Sequence, residues 1–513
     1  MSSATYSKEN VRKGIWHYLL GRGMSGVAGF AVIILLVRYM DVHNYAGYTA
    51  LNGLTMLCGI VAGLGLERAI SRYVPEAVIH HTAHELGRFI WVISLIRFFV
   101  ATLVSLLIVA CWAYLIRLFG VVELQKFPLP LAFFIIAETL FQHFSAVLQA
   151  LVMQKILTRI MVVQWAGRLA LLTPLIVAHS SISLEHALWV MAIPELIGVV
   201  VFILVIRQHL KHLNTDQTSA KEGTDAWPPW KGVIKLAAHN YGFNLLAAPP
   251  QGYFMKMMVA IFLPAHMVAA YGFFLSVAER MRQYIPLHLF YNLIEPLMIA
   301  KYIQDKDFQS LNYRCQLLYK TNLLLLIPAL ALVAAAGSYV ISMMTGGKYY
   351  EYVWILCVVI IQLTIGSHVV LLQLILNSVG ASFLLIRASV YGLIVMGIFS
   401  GLIISLNSTY IVLAPITFSL SCNIYIVRQL SKLGYPYHIS WRMLAPIMAS
   451  GVVAFVVIFL ALLVSPKTSN NLLMSVMSGL GIMFAYIPAI WLMKAISKDE
   501  VSMIKSLLSS KRQ

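Results

Sequence analysis

Charge is what this sequence has least of. Only 11% of its 513 residues are charged against 60% hydrophobic, and the mean hydropathy is +0.83, which excludes a water-soluble domain of any size. Acids are the scarcer sign: 19 Asp and Glu stand against 37 Lys and Arg, a net charge of +18. In a soluble chain that balance would suggest nucleic acid. Here most basic residues lie in short segments between apolar runs, so they read as topogenic and imply no nucleic-acid partner. Cys58, Cys111, Cys315, Cys357 and Cys422 stand singly, without CxxC or metal-like spacing, and leave the redox compartment open. No phosphate-binding loop is present, so this chain does not itself hydrolyse ATP. His239, His288 and His368 have no HxxxH partner or His/Asp/Cys cluster and read as satisfied or cavity-lining histidines. Asp41 lacks the second acid, and the chain the large outer domain, of polytopic glycosyltransferases. No catalytic residue, no metal site and no cofactor is expected beyond a coupling H⁺ or Na⁺, and the chain does not read as an enzyme.

What is there is hydrophobic length. A spanning helix needs about 20 apolar residues at ~1.5 Å each to cross the ~30 Å hydrocarbon core. About fourteen such runs are expected, near 15–38, 47–70, 89–116, 128–152, 156–179, 185–206, 235–263, 267–299, 316–345, 352–376, 384–406, 409–430, 440–465 and 470–494. Alternate loops hold the Lys and Arg excess, as in Arg72 and Arg88, Lys155 and Arg159, Arg207 to Lys235, Lys301 to Lys320, and Arg428 to Arg442. That alternation fits an even span number with both termini cytoplasmic. The one long polar segment, HLKHLNTDQTSAKEGTDAWPPWKG, reads as a cytoplasmic linker. It divides the chain into a six-helix lobe at 1–207, a linker at 208–233, a second six-helix lobe at 234–434, and two added helices with a tail at 435–513. Two weak self-similarities support the repeat: RYMDVHNYAGYTALNGL (38–54) with AIFLPAHMVAAYGFFLSV (260–277), and HFSAVLQALVMQKILTRI with HVVLLQLILNSVGASFLLIRA.

Between Ile234 and Lys301 charge sits inside apolar sequence: Lys256 in YFMKMMVAIFL, then Glu279, Arg280 and Arg282 in YGFFLSVAERMRQYIPLHLF. With the eighth span entering near Val268, Arg280 lies ~18 Å in, and Lys256 lies ~10 Å from the outer end of its own helix. A basic side chain at the centre of a lone helix costs ~2.5 to 3.5 kcal/mol, so such residues face a bundle interior or a wet cavity. The same span map places Arg22, Arg97, Glu138, Arg168 and Glu195 at membrane depth. Private pairing is open to some of them: Glu279 and Arg282 share a helix face, and Glu138 or Glu195 could neutralise Arg168. Arg97, Arg168, Lys256, Arg280 and Arg282 nevertheless outnumber Glu138, Glu195 and Glu279, leaving a cationic surplus that attracts an anion. Glu67, Arg68 and Arg72 fall at the inner end of the second span and read as interfacial, snorkelling or paired. Pro249-Pro250 and Pro286, with Pro174 and Pro194, interrupt helical runs, either as bends that gate or as static kinks.

The short basic N-terminus, the first span ending VRYMDVHNYAGYTALNGL, the second closing GLGLERAISRYVPE, the linker after six spans and the repeat at the seventh together resemble the polysaccharide transporter branch of the multidrug/oligosaccharidyl-lipid/polysaccharide (MOP) exporter superfamily. The resemblance implies an all-α integral membrane protein with two six-helix lobes in a V around a cationic cavity, in the cell (inner) membrane. It implies a flippase for undecaprenyl-pyrophosphate-linked oligosaccharide repeat units of surface polysaccharide such as O-antigen or exopolysaccharide. Membrane lipids, a polymerase and export machinery would be its partners. Lys256, Arg280, Arg282 and Arg168, then Arg22 and Arg97, are the headgroup or cavity candidates. Glu138, Glu195 and Glu279 are candidates for counter-ions or coupling-ion sites. The competing expectations are a drug/cation antiporter of the same superfamily, whose cavity should favour acids, and a membrane-embedded polymerase or ligase, which would need long outer loops.

Overall fold

The computed structural model describes residues 8–119, 128–179, 181–216, 227–464, 471–497 and 500. The polar middle of the expected linker and the tail residues Lys505, Lys511 and Arg512 lie outside the described residues. Every regular element among them is helical, as hydrocarbon demands: a spanning backbone must satisfy its own N–H and C=O groups.

Two compact units divide the chain, 1–269 and 270–513. The first contains α1 (Lys8–Tyr39), α2 (Val42–Gly63), α3 (Leu66–His80), α4 (Ala83–Ala110), α5 (Trp112–Phe119), α6 (Pro128–Ala150), α7 (Gln154–Ala178), α8 (Leu184–Asp216), α9 (Trp230–Ala247) and α10 (Gly252–Phe262). The helix α11 (Ala265–Arg282) leads into the second, followed by α12 (Pro286–Asp305), α13 (Phe308–Thr345), α14 (Val353–Val379), α15 (Phe383–Leu406), α16 (Ala414–Lys432), α17 (Trp441–Val464) and α18 (Asn471–Leu492). The first unit thus reaches past the expected linker at 208–233 to take in α9 and α10, which pack on α3 and α2. The Trp-Pro-Pro-Trp end of that linker is anchored in the same unit: Trp227 stacks on His81 at 4.7 Å, and Trp230 lies 6.0 Å from Phe89.

Twelve helices among the described residues are long and apolar enough to cross a membrane. The two further expected spans, 235–263 and 267–299, are each two helices. Pro249 and Pro250 supply no N–H to the turn after α9, so the ladder stops at Ala248 and restarts at Gly252. The second interruption falls at Gln283–Ile285, and Pro286 takes the first position of α12, where its missing N–H costs nothing. Asn322 of α13 secures that break by accepting from Leu287 N through Oδ1 at 3.0 Å. Pro174 and Pro194, by contrast, lie inside the continuous helices α7 and α8.

An apolar stripe suited to lipid runs along α15, where Ile386, Val390, Ile394, Ile398, Leu402 and Leu406 are exposed at every fourth position. In water this stripe would be an aggregation surface; in hydrocarbon it is solvated. The added helices α17 and α18 pack on α13 around Leu323, Ile327, Ile447, Ala454, Ile458 and Ile482.

Candidate functional site

Lys256 owes its position to a glycine. A Cβ at Gly53 of α2 would lie 2.6 Å from Tyr253 O and 2.9 Å from Lys256 Cβ, so only a bare backbone lets α10 approach this closely. The approach brings Lys256 Nζ to 3.0 Å of Asn52 Oδ1, to which it donates. Lys256 is 5% exposed, so a cation is buried here with a neutral amide oxygen as one partner. Next along the chain, α9 lies against the left-handed turn between α2 and α3. Gly65 has φ +69, a Cβ there would lie 2.6 Å from Tyr241 N, and Asn240 Nδ2 donates to Gly65 O at 3.2 Å.

Two of the other predicted cations are held in ion pairs of the first unit. Arg97 on α4, fully buried, donates through Nη1 to Glu67 Oε1 at 3.0 Å and through Nη2 to Gly59 O at 3.4 Å. Glu67 therefore turns inward to pair with a buried arginine. Arg168 on α7 donates through Nη2 to Glu195 Oε1 on α8 and, at 3.4 Å, to Met191 O, three residues before Pro194. Gln164 Nε2 donates to the same Glu195 oxygen at 3.4 Å, and the Trp165 ring lies 4.2 Å from the Arg168 guanidinium carbon. Glu138 on α6 accepts from Gln142 Nε2 at 2.6 Å. Of the two acids the sequence reading had offered Arg168, the structure pairs it with Glu195 and gives Glu138 a glutamine partner. Arg22 on α1 is half-buried, and Ser25 Oγ donates to its carbonyl at 3.0 Å.

In the second unit Glu279, Arg280 and Arg282 occupy the end of α11, and both arginines lie in its last turn. Basic side chains there complement the negative end of the helix dipole, which the break at Gln283 leaves uncapped by further helix. Glu279 and Arg280 are half-buried and Arg282 is exposed. Two groups were missed by the sequence reading. Glu295, within the expected eighth span, accepts from Tyr291 OH at 2.9 Å and Asn377 Nδ2 at 2.6 Å; an acid inside that apolar run was the available signal. Lys320, read as a loop charge, is buried in an ion pair with Glu500 at 2.7 Å. Nothing in the local pattern around either residue announces a pairing across 180 positions.

Residues 11–225 match the family of polysaccharide biosynthesis proteins. No curated protein matches the chain. Among solved structures, the lipid II flippase MurJ in its inward closed conformation is similar at TM-score 0.67 and 13% identity, over 93% of this chain and 98% of that one. The MATE transporter VcmN of Vibrio cholerae, in a mutant form, is similar at TM-score 0.51 and 14% identity, over 85% of this chain and 99% of that one. The chain is therefore a multi-pass membrane protein with the fold of the MOP exporter superfamily, and its residues 11–225 carry the pattern of the polysaccharide biosynthesis protein family.

Proposed function

We propose that the chain is a flippase that carries an undecaprenyl-pyrophosphate-linked oligosaccharide from the cytoplasmic to the outer leaflet by alternating access, for assembly of a surface polysaccharide. The observation that carries this reading is that basic side chains sit on the two interrupted spans: Lys256 buried in the first unit, Arg280 and Arg282 at the end of α11. A pyrophosphate brings concentrated negative charge that Lys and Arg hold by charge-assisted hydrogen bonds, while the prenyl tail stays in lipid. Arg97 and Arg168 neutralise Glu67 and Glu195; Lys256, Arg280 and Arg282 are the first headgroup candidates because they are the basic side chains flanking the two helix breaks. The match of residues 11–225 and the fold shared with a lipid II flippase support the same reading. A polymerase and export machinery would receive the product.

The second reading, a drug or cation antiporter, is favoured by the fold shared with VcmN. A cationic cargo would call for an excess of acids, whereas on the interrupted spans Lys256, Arg280 and Arg282 outnumber Glu279 and Glu295.

Depletion of the protein tests the two. Lipid-linked oligosaccharide should accumulate on the cytoplasmic face and surface polysaccharide should be lost. Lys256→Ala and Arg280→Ala should fail to restore it while the protein remains in the membrane. Normal glycan with altered resistance to cationic compounds would instead select the antiporter, and full export by both variants would remove the headgroup assignment.

A further inference from the structure

Two histidines stand together at the turn that joins α7 to α8. His179 follows the last residue of α7 and His186 lies in the first turn of α8; their ring centroids are 5.7 Å apart and the rings nearly parallel, at 15°. Two imidazoles bound to one ion at about 2.0 to 2.1 Å per bond hold their ring centres roughly 5 to 6 Å apart. The pair therefore already has the spacing of a shared metal. The turn itself is anchored: Ile182 and Leu184 are buried, and Ile182 N donates to Tyr39 O at 2.9 Å. One ring is also oriented, because Ser183 Oγ lies 3.0 Å from His186 Nδ1 and accepts from His186 N at 3.2 Å. With Nδ1–H donating to that oxygen, the lone pair falls on Nε2, the form in which a hydrogen bond on one ring nitrogen prepares the other as a ligand. His179 is exposed, so its ring is open to an incoming ion. Asp41, close to Tyr39 in the chain, is committed elsewhere and accepts from Asn44 N at the start of α2. Among the described residues no third His, Cys, Asp or Glu joins the pair. Water would fill the remaining positions, which makes for an exchangeable ion rather than a closed structural one.

We propose that His179 and His186 form a site for a divalent transition metal of the zinc, copper and nickel class, with Ser183 as the positioning residue of His186. Imidazole nitrogens favour these ions, whereas calcium and magnesium take oxygen ligands. The bound ion would clip the end of α7 to the start of α8, the two helices that Arg168 and Glu195 join about 15 Å farther in. Seven positions apart, the two histidines match no metal motif; only the folded turn brings them together. The site stands independently of the flippase reading.

The test is the quenching of a dye by nickel. In a Cys111→Ser background, Ser181→Cys is labelled with a short-linked fluorescein maleimide on the full-length protein in detergent. Nickel quenches this dye only at close range, and nickel held by His80, His81 and His84 would lie about 50 Å away, the length of α8. Micromolar nickel should quench saturably, and zinc, which is colourless, should restore the emission by competition. His179→Gln and His186→Gln should each abolish saturable quenching, while His43→Gln, near the same end of the unit, should leave it intact. Ser183→Ala should raise the nickel midpoint about tenfold, and Ser183→Thr should return it. Because His179 is exposed, His179→Gln carries the test alone should His186→Gln fail to fold. Saturable quenching that survives in His179→Gln, depends on His43 or resists zinc overturns the site, as does its absence at millimolar nickel. An unmoved midpoint in Ser183→Ala overturns the role given to Ser183.

Discussion

Arg168 and Glu195 show how a buried ion pair in this chain constrains the residues around it. Both side chains are almost completely enclosed, so removing one partner strands a charge that water cannot reach. Breaking such a pair costs about 3 to 5 kcal/mol, whereas replacing both members by neutral groups of similar shape is often nearly free. Arg168→Met should therefore sharply lower the thermal midpoint of the detergent-solubilised protein, and Arg168→Met combined with Glu195→Gln should recover most of it. Equal losses in the single and double variants would show that Arg168 acts by packing on Trp165 rather than by charge. The Arg97–Glu67 pair differs because Glu67 is 39% exposed. Removing Arg97 leaves an acid that can reach water, while removing Glu67 leaves a fully buried guanidinium.

At the scale of elements, helix positions follow from backbone proximity at a few glycines. Gly53 sets the distance between α2 and α10 and, through it, the bond from Lys256 to Asn52. Gly53→Ala should push α10 outward and lower export at least tenfold with protein still present in the membrane. Gly242→Ala, on α9 with nothing within 4 Å of its added Cβ, should export normally; wild-type export from Gly53→Ala would detach Lys256 from the transport reading. These elements also mark how far the sequence could be read. The breaks at Pro249-Pro250 and before Pro286 were legible as prolines within apolar runs, whereas Pro174 and Pro194, with the same local signal, lie inside continuous helices. Also legible was the presence of Lys256, Arg280 and Arg282 on the interrupted spans, because charge inside apolar sequence is a local signal. The partners were not: Asn52 lies 204 positions from Lys256 and Glu67 lies 30 from Arg97, and such pairs exist only once helices pack. Glu67, read as interfacial, snorkelling or paired, proves to be the partner of Arg97.

At the scale of the whole molecule, orientation in the membrane decides which leaflet the cargo leaves. The first unit has two distinguishable ends. At one, Trp227 stacks on His81, which joins the linker to the turn between α3 and α4, where Arg72, Arg88, Arg207, Lys231 and Lys235 gather in sequence. At the other, Ile182 N donates to Tyr39 O at 2.9 Å, joining the turn before α8 to the end of α1. The 33 residues of α8 separate the two ends by about 50 Å at 1.5 Å per residue. By the positive-inside rule we expect the basic end in the cytoplasm and Ser181 outside. Cys111, exposed at the end of α4, falls on the outer side by the same count, so an impermeant maleimide should label wild-type protein in intact cells and fail with Cys111→Ser. In that background, Ser181→Cys should restore labelling, and Ser219→Cys should react only after the cells are permeabilised. The reverse pattern would invert the unit, put the basic loops outside, and require the proposed cargo to travel inward, against the direction that surface polysaccharide assembly needs.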